Sequence, residues 1–213
     1  MDITIIITTD KMHTMKTPLF IFIVFSTLSL SSAQSLVPVR DTDGNIIRSG
    51  TGYYILPTTR GLGGGIKLVP TTINETCPSD VVQENNDLQN GLPLTFIPVK
   101  ANKDGNIFES IDLNIRFSGS TACIRSAIWR IDQGVNGQRE ISSHGSLGNP
   151  GPQTISNWFK IEKHEDGYKL VFCPTVCNTC RPACGDIGHT IAKTGRLSLV
   201  INNTPLKVNF KKA

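Results

Sequence analysis

Along most of this chain, segments of four to seven residues rich in Val, Ile, Phe and Tyr alternate with short runs of Gly, Pro, Asn and Asp. Punctuation that frequent sustains no helical period, and it leaves a series of short strands instead. The strands expected are Leu36 to Arg40, Tyr53 to Leu56, Ile66 to Val69, Val81 to Gln83, Leu94 to Val99, Asp112 to Phe117, Ala127 to Ile131, Trp158 to Glu162, Lys169 to Phe172, Ile187 to Ile191, Leu197 to Ile201 and Leu206 to Phe210. Near a dozen short strands suit an all-β barrel or sandwich. In Leu113-Asn114-Ile115-Arg116-Phe117 the apolar residues point one way and the polar ones the other, and Leu206-Lys207-Val208-Asn209-Phe210 repeats the pattern. Asp43-Gly44, Asp104-Gly105 and Asp166-Gly167 carry residues that tolerate positive φ and close hairpins cheaply.

The run Leu19-Phe20-Ile21-Phe22-Ile23-Val24-Phe25, continued by Ser26 to Leu30, is too short to span a bilayer comfortably. With Lys16 before it and Ser31-Ser32-Ala33 after it, it reads as a secretory signal cut after Ala33. Met15 begins a signal of ordinary length, which makes Met1 to Thr14 an upstream extension. Residues 1–33 are thus a leader, and residues 34–213, about 180 of them, are expected to form one domain around a single core.

Asp2 and Asp10 balance Lys11 and Lys16, so the net charge of +4 belongs to the mature part. It is spread out, without the Lys/Arg clusters and interleaved aromatics of a nucleic-acid track, so no nucleic-acid partner is expected. The chain should be secreted to the apoplast, or sorted to a vacuole, and free of the membrane once the signal is cut.

Six cysteines in a secreted chain are expected to be oxidised. Fifteen pairings are open to them. Cys173, Cys177, Cys180 and Cys184 also have spacing that a zinc site or a redox pair would use, but an oxidising compartment and the lack of a βαβ pattern speak against both. Neither metal nor cofactor is expected. Gly61-Leu62-Gly63-Gly64-Gly65 precedes a strand-like Ile66 to Val69 rather than a helix, which makes it a turn and not a phosphate loop. His144, His164 and His189 show no catalytic spacing, so no catalytic residues are assigned and the chain is not read as an enzyme. Trp158 and Tyr54 would be the aromatics of a sugar site, but they sit in strand-like segments, which assigns them to packing. Asn74-Glu75-Thr76 is a glycan acceptor pattern, and Asn202-Asn203-Thr204 is a weaker one crowded by Pro205.

Val39-Arg40-Asp41-Thr42-Asp43-Gly44-Asn45-Ile46-Ile47, with Tyr53-Tyr54-Ile55 five residues on, resembles the N-terminal signature of the soybean Kunitz trypsin inhibitor family. The resemblance continues in Cys77-Pro78 with Val81-Val82-Gln83, in Leu113 to Phe117, in Trp158-Phe159-Lys160-Ile161, in Tyr168 to Pro174 and in Cys184-Gly185-Asp186-Ile187-Gly188. It spans the whole mature chain. It implies a β-trefoil barrel of about twelve strands in three pseudo-repeats, two disulfides joining Cys77 to Cys123 and Cys173 to Cys184, and a monomer that inhibits an endopeptidase. Cys177 and Cys180 are then left to pair with each other, or the cluster interlaces as Cys173 with Cys180 and Cys177 with Cys184.

By the same resemblance the inhibitory loop is Pro98 to Asn106. Lys103 would enter the primary pocket of the target, with Lys103-Asp104 as the reactive bond and Lys100 or Asn102 as alternative occupants. A lysine suits a trypsin-like pocket that ends in a carboxylate. A serine protease is therefore the favoured partner, with a cysteine protease or a serine carboxypeptidase as the others. The asparagine that braces this loop in the family corresponds here to Ser49, whose side chain reaches fewer carbonyls. A second candidate is the cystine-dense loop Pro174 to Ala183. There Arg181, followed by Pro182 and preceded by Asn178 and Thr179, is the residue to present. The competing reading is a relative that has lost inhibition and serves storage, defence or signalling.

Overall fold

Alternation along the chain becomes pairing across it. A computed structural model describes residues 36–72, 74–134 and 137–213, and the leader assigned to residues 1–33 lies outside them. Twelve strands occur among the described residues: β1 Tyr53–Pro57, β2 Ile66–Val69, β3 Asp80–Gln83, β4 Leu94–Pro98, β5 Leu113–Phe117, β6 Arg130–Gln133, β7 Arg139–Ser142, β8 Lys160–His164, β9 Gly167–Phe172, β10 Gly185–Ile191, β11 Leu197–Asn202 and β12 Val208–Lys212. The fold is all-β, and every strand pair is antiparallel.

The hydrogen-bonded path runs β2-β3-β7-β11-β10-β9-β12-β1-β4-β5, with β6 on β7 and β8 on β9. Three hairpins, β2–β3, β6–β7 and β10–β11, meet one another: Asp80 faces Ser142, Leu197 faces Gln83, and Val200 faces Glu140. The path does not close as a sheet. A single bridge joins β5 to the residue before β8, where Leu113 and Phe159 exchange two N–H···O bonds of 2.9 Å each.

The inward residues of these strands make the core. Phe210 of β12 meets the edge of Phe96 of β4 at 5.3 Å and lies 5.5 Å from Tyr168 of β9. Trp129 stands edge-on to Phe159 at 5.9 Å, and Phe159 is 5.9 Å from Phe172. Each such ring stabilises the fold by about 2–3 kcal/mol through burial alone. Trp158 is buried too, its indole N–H donating to Thr154 Oγ1 at 3.1 Å, so it is a packing residue and not a sugar platform.

Several expectations need correction. Leu36 to Arg40 is no strand; Pro38 lacks the N–H a ladder needs, and the segment touches two partners, through bridges Pro38–Phe108 and Arg40–Ile46. The strand expected over Ala127 to Ile131 begins only at Arg130, because α1, Ala122–Ser126, occupies the approach to it. Thr121 caps that helix, its hydroxyl accepting the Ile124 N–H at 3.3 Å. Five residues are too few to register a period in sequence, as is the 3-10 turn Pro152–Asn157. The same 3-10 turn delays the strand expected from Trp158, which starts at Lys160. β7, with the polar sequence Arg139-Glu140-Ile141-Ser142, was not expected at all.

Asn114 also departs from simple alternation. It leaves the core face but is wholly buried, its Nδ2 donating to the Asn157 carbonyl and its Oδ1 accepting the Gly148 N–H, each at 2.8 Å. Positive φ appears as expected at Gly44 (81°) and Gly105 (67°), but in the third turn it falls on Glu165 (51°). Gly167 instead begins β9, where a Cβ would stand 2.9 Å from the Val208 carbonyl.

Candidate functional site

The connection from β4 to β5 carries the first candidate loop. Its base is an extension of the β4–β5 ladder, for beyond the Pro98–Leu113 pair the Val99 N–H donates to the Asp112 carbonyl at 2.8 Å. At its tip the Gly105 N–H donates to the Asn102 carbonyl at 3.1 Å, which folds residues 102–105 into a tight turn with Lys103 and Asp104 at its centre. Both are exposed, as is Lys100. Among the described residues neither Lys100 nor Lys103 takes part in an ion pair.

Asn102 does not project outward as a presented residue would. Half-buried, its amide Nδ2 donates to the Asn106 carbonyl at 2.6 Å and its Oδ1 accepts the Asn106 N–H at 2.9 Å. Asparagine favours such returns to its own backbone, which is the sequence signal for this role. The N-terminal segment braces the returning side of the loop: Ser49 N–H donates to Gly105 O at 2.8 Å, and Ile107 N–H donates to Ile47 O at 3.0 Å. Ser49 thus meets the loop through its backbone. Beneath the loop lies a cleft of about 390 Å³, largely apolar, walled by Leu36, Val99, Ile107, Phe108 and Ile111.

The second candidate loop leaves β9. Disulfides join Cys173 to Cys184 across its base and Cys177 to Cys180 within it, and a third joins Cys77 to Cys123 of α1. All six sulfurs are therefore consumed, four of them in this loop. Asn178 and Thr179 are exposed and Pro182 is half-buried. The Arg181 guanidinium curls back, donating to the carbonyls of Asn178 at 3.2 Å and Cys180 at 2.9 Å. At one end the Thr175 N–H donates to Asp112 Oδ2 at 3.0 Å, and at the other Arg139 donates to the Ala183 carbonyl.

Asn74 is exposed, near the Cys77 disulfide. His144 lies 3.5 Å from the Asp132 carboxylate, whose Oδ2 accepts the Ser142 hydroxyl at 2.5 Å. Among the described residues no three His, Cys, Asp or Glu side chains gather as a metal site.

Comparison with known proteins gives the chain a family context. Residues 39–212 match the legume Kunitz model, described as trypsin and protease inhibitor. The chain is 44% identical over 192 residues to miraculin of Synsepalum dulcificum, covering 86% of this chain and 87% of that one. It is 38% identical over 205 residues to Kunitz trypsin inhibitor 5 of Arabidopsis thaliana, covering 93% of this chain and all of the other. The structure resembles that of a Kunitz-type cysteine protease inhibitor from potato, with a TM-score of 0.73 and 34% identity over 84% of this chain and 98% of that one.

Proposed function

This chain belongs to the Kunitz family of trypsin and protease inhibitors, and we propose that it is a secreted inhibitor whose β4–β5 loop occupies the active site of a serine endopeptidase. The observation that carries this reading is the Asn102 clamp beneath two exposed residues, Lys103 and Asp104. A loop already held in one shape loses little conformational entropy on docking, and tight binding follows from that. Lys103 supplies the cation for a pocket ending in a carboxylate.

The clamp has a second consequence. If the protease cuts Lys103-Asp104, Asn102 stays on the acyl side and Asn106 on the leaving side, and their two hydrogen bonds keep the new amine beside the ester. Religation then competes with water, because the amine is held at high effective concentration. The inhibitor performs no catalysis of its own.

The scaffold for this work is a β-trefoil barrel in three pseudo-repeats. What supports it is a ring of β1, β4, β5, β8, β9 and β12, in which the Leu113–Phe159 bridge spans the gap between β5 and β8, together with the three hairpins that meet over one end. The protein acts as a monomer of residues 34–213 after loss of the leader, in the apoplast or a vacuole, with Asn74 open to a glycan.

One observation favours a second reading, a non-inhibitory relative. Proteases bind extended segments along the main chain, whereas the Asn102–Gly105 hydrogen bond folds this bond into a turn. Titration of the purified protein against trypsin, chymotrypsin, subtilisin, a papain-like enzyme and a serine carboxypeptidase decides between them. Inhibition of trypsin that is lost in Lys103→Ala supports the first reading; no inhibition of any of the five leaves the second.

A further inference from the structure

Asp112 stands where the two candidate loops meet. It is 5% exposed, and its backbone carbonyl and its carboxylate Oδ2 are each committed to a different segment, while Oδ1 makes no hydrogen bond among the described residues. Its backbone carbonyl accepts the Val99 N–H at 2.8 Å at the base of the first loop. Its carboxylate Oδ2 accepts the Thr175 N–H at 3.0 Å and the Thr175 hydroxyl at 2.5 Å, just inside the Cys173–Cys184 disulfide. Its Oδ1 faces Lys160 Nζ at 3.9 Å, and that amine is itself largely buried. A carboxylate taken out of water costs several kcal/mol unless donors or a cation compensate it, so the site holds Asp112 in one orientation.

The strands place this contact where it can act on both loops. Pro98 faces Leu113, Leu113 faces Phe159, and Lys160 faces Val171, so the exit of β4, the entry of β5, the entry of β8 and the exit of β9 lie along one line of register. The cystine-closed segment itself is tied at both ends, to Asp112 through Thr175 and to Arg139 through Ala183, and Arg181 is spent on its own backbone. Asn178, Thr179 and Arg181 stay exposed at the tip, but the segment beneath them is stiffened by two disulfides and held at both ends.

We propose that Asp112 is a positioning residue that couples the two loops, so that the cystine-closed segment 173–184 buttresses the docking loop 99–106 instead of offering a second reactive bond. The coupling runs from the disulfides through Thr175 to the Asp112 carboxylate, and from the Asp112 backbone to Val99. The inference rests on the docking role of residues 99–106 only where affinity is measured; the coupling itself is read without any protease.

The experiment is amide hydrogen exchange on the full mature protein in four variants, Thr175→Val, Thr175→Ser, Asp112→Asn and the double variant Asp112→Asn/Thr175→Val. Thr175→Val loses the hydroxyl bond and Asp112→Asn loses the charge that strengthens both bonds to Thr175, and each should speed exchange at Val99, Gly105 and Asn106 about fivefold. Thr175→Ser, which keeps the hydroxyl, should exchange as the unchanged protein does. The double variant should be no faster than the faster single one, the mark of two groups acting through one contact. The β1–β12 amides of Leu56 and Asn209 serve as reference and should not move. Unchanged exchange at 99–106 in both single variants overturns the proposal, and so does equal acceleration of the reference amides, which would signal general loosening. If a protease is inhibited, its dissociation rate should rise in the same variants; if none is, the inhibitor reading fails while the exchange result still decides the coupling.

Discussion

The side chain of Asn102 donates to the Asn106 carbonyl at 2.6 Å and accepts the Asn106 N–H at 2.9 Å, closing a ring over Lys103, Asp104 and Gly105. Replacing Asn102 with Ala removes both bonds, worth about 2 kcal/mol together, and should raise the fraction of chain cut between Lys103 and Asp104 by trypsin some thirtyfold, roughly the factor that energy commands. Mass spectrometry of the digest reads this directly. An Asn102→Ala protein that is cut no faster shows that the ring does not protect the bond.

The three disulfides should differ in what they contribute. Cys77 and Cys123 are 46 residues apart, and chain entropy assigns that loop about 4 kcal/mol; Cys177 and Cys180, only three apart, are assigned about 2 kcal/mol. Urea denaturation of the Cys77→Ser/Cys123→Ser and Cys177→Ser/Cys180→Ser variants should rank them in that order. The opposite ranking would show that the small ring matters to the whole fold.

Gly65 and Gly44 are expected to respond to alanine for different reasons. A Cβ on Gly65 would lie 2.0 Å from the Asn90 carbonyl oxygen, so backbone must move, and Gly65→Ala should cost about 3 kcal/mol or more. Gly44 has open space around it but a φ of 81°, so Gly44→Ala should cost only about 1–2 kcal/mol. Thermal or urea unfolding of the pair checks the ranking.

Glu140 sets a pH dependence. Burial pushes its carboxyl above the usual range and Asp80 adds repulsion, and no cation lies within ion-pair distance among the described residues. A carboxyl with a raised folded-state pKa burdens the fold once ionised: the penalty is complete above that pKa and absent below the unfolded value of about 4.3. Glu140→Gln should therefore raise the urea midpoint at pH 7, and the gain should disappear as the pH is lowered through the carboxylate range. A gain that persists at low pH would assign the effect to packing instead of charge.

Much of the fold is legible locally. Leu113 to Phe117 and Leu206 to Phe210 alternate visibly, and the structure buries Leu113, Ile115, Phe117, Val208 and Phe210 as that alternation requires. Alternation puts Asn114 on the face away from the core but says nothing of its cover, residues 146–157, which comes from a different part of the chain. β7 was missed because Arg139-Glu140-Ile141-Ser142 holds one large apolar residue and is made a strand by β6 and β11 on either side. At the candidate site, Lys103 was placed on the loop by resemblance alone, while the support of that loop passed from the side chain expected at Ser49 to the amide of Asn102.

Short-range chemistry settles that this chain is built of brief strands joined by tight turns and that its cysteines are oxidised. Side-chain alternation, turn preference and compartment act within a few residues or on composition. Which groups would touch was a different matter: Thr175 reaches Asp112 across 63 positions, and Ser49 meets Gly105 through backbone atoms that carry no residue label. Hydrogen bonds tolerate only a few tenths of an ångström, and placement that fine exists only once the strands have packed.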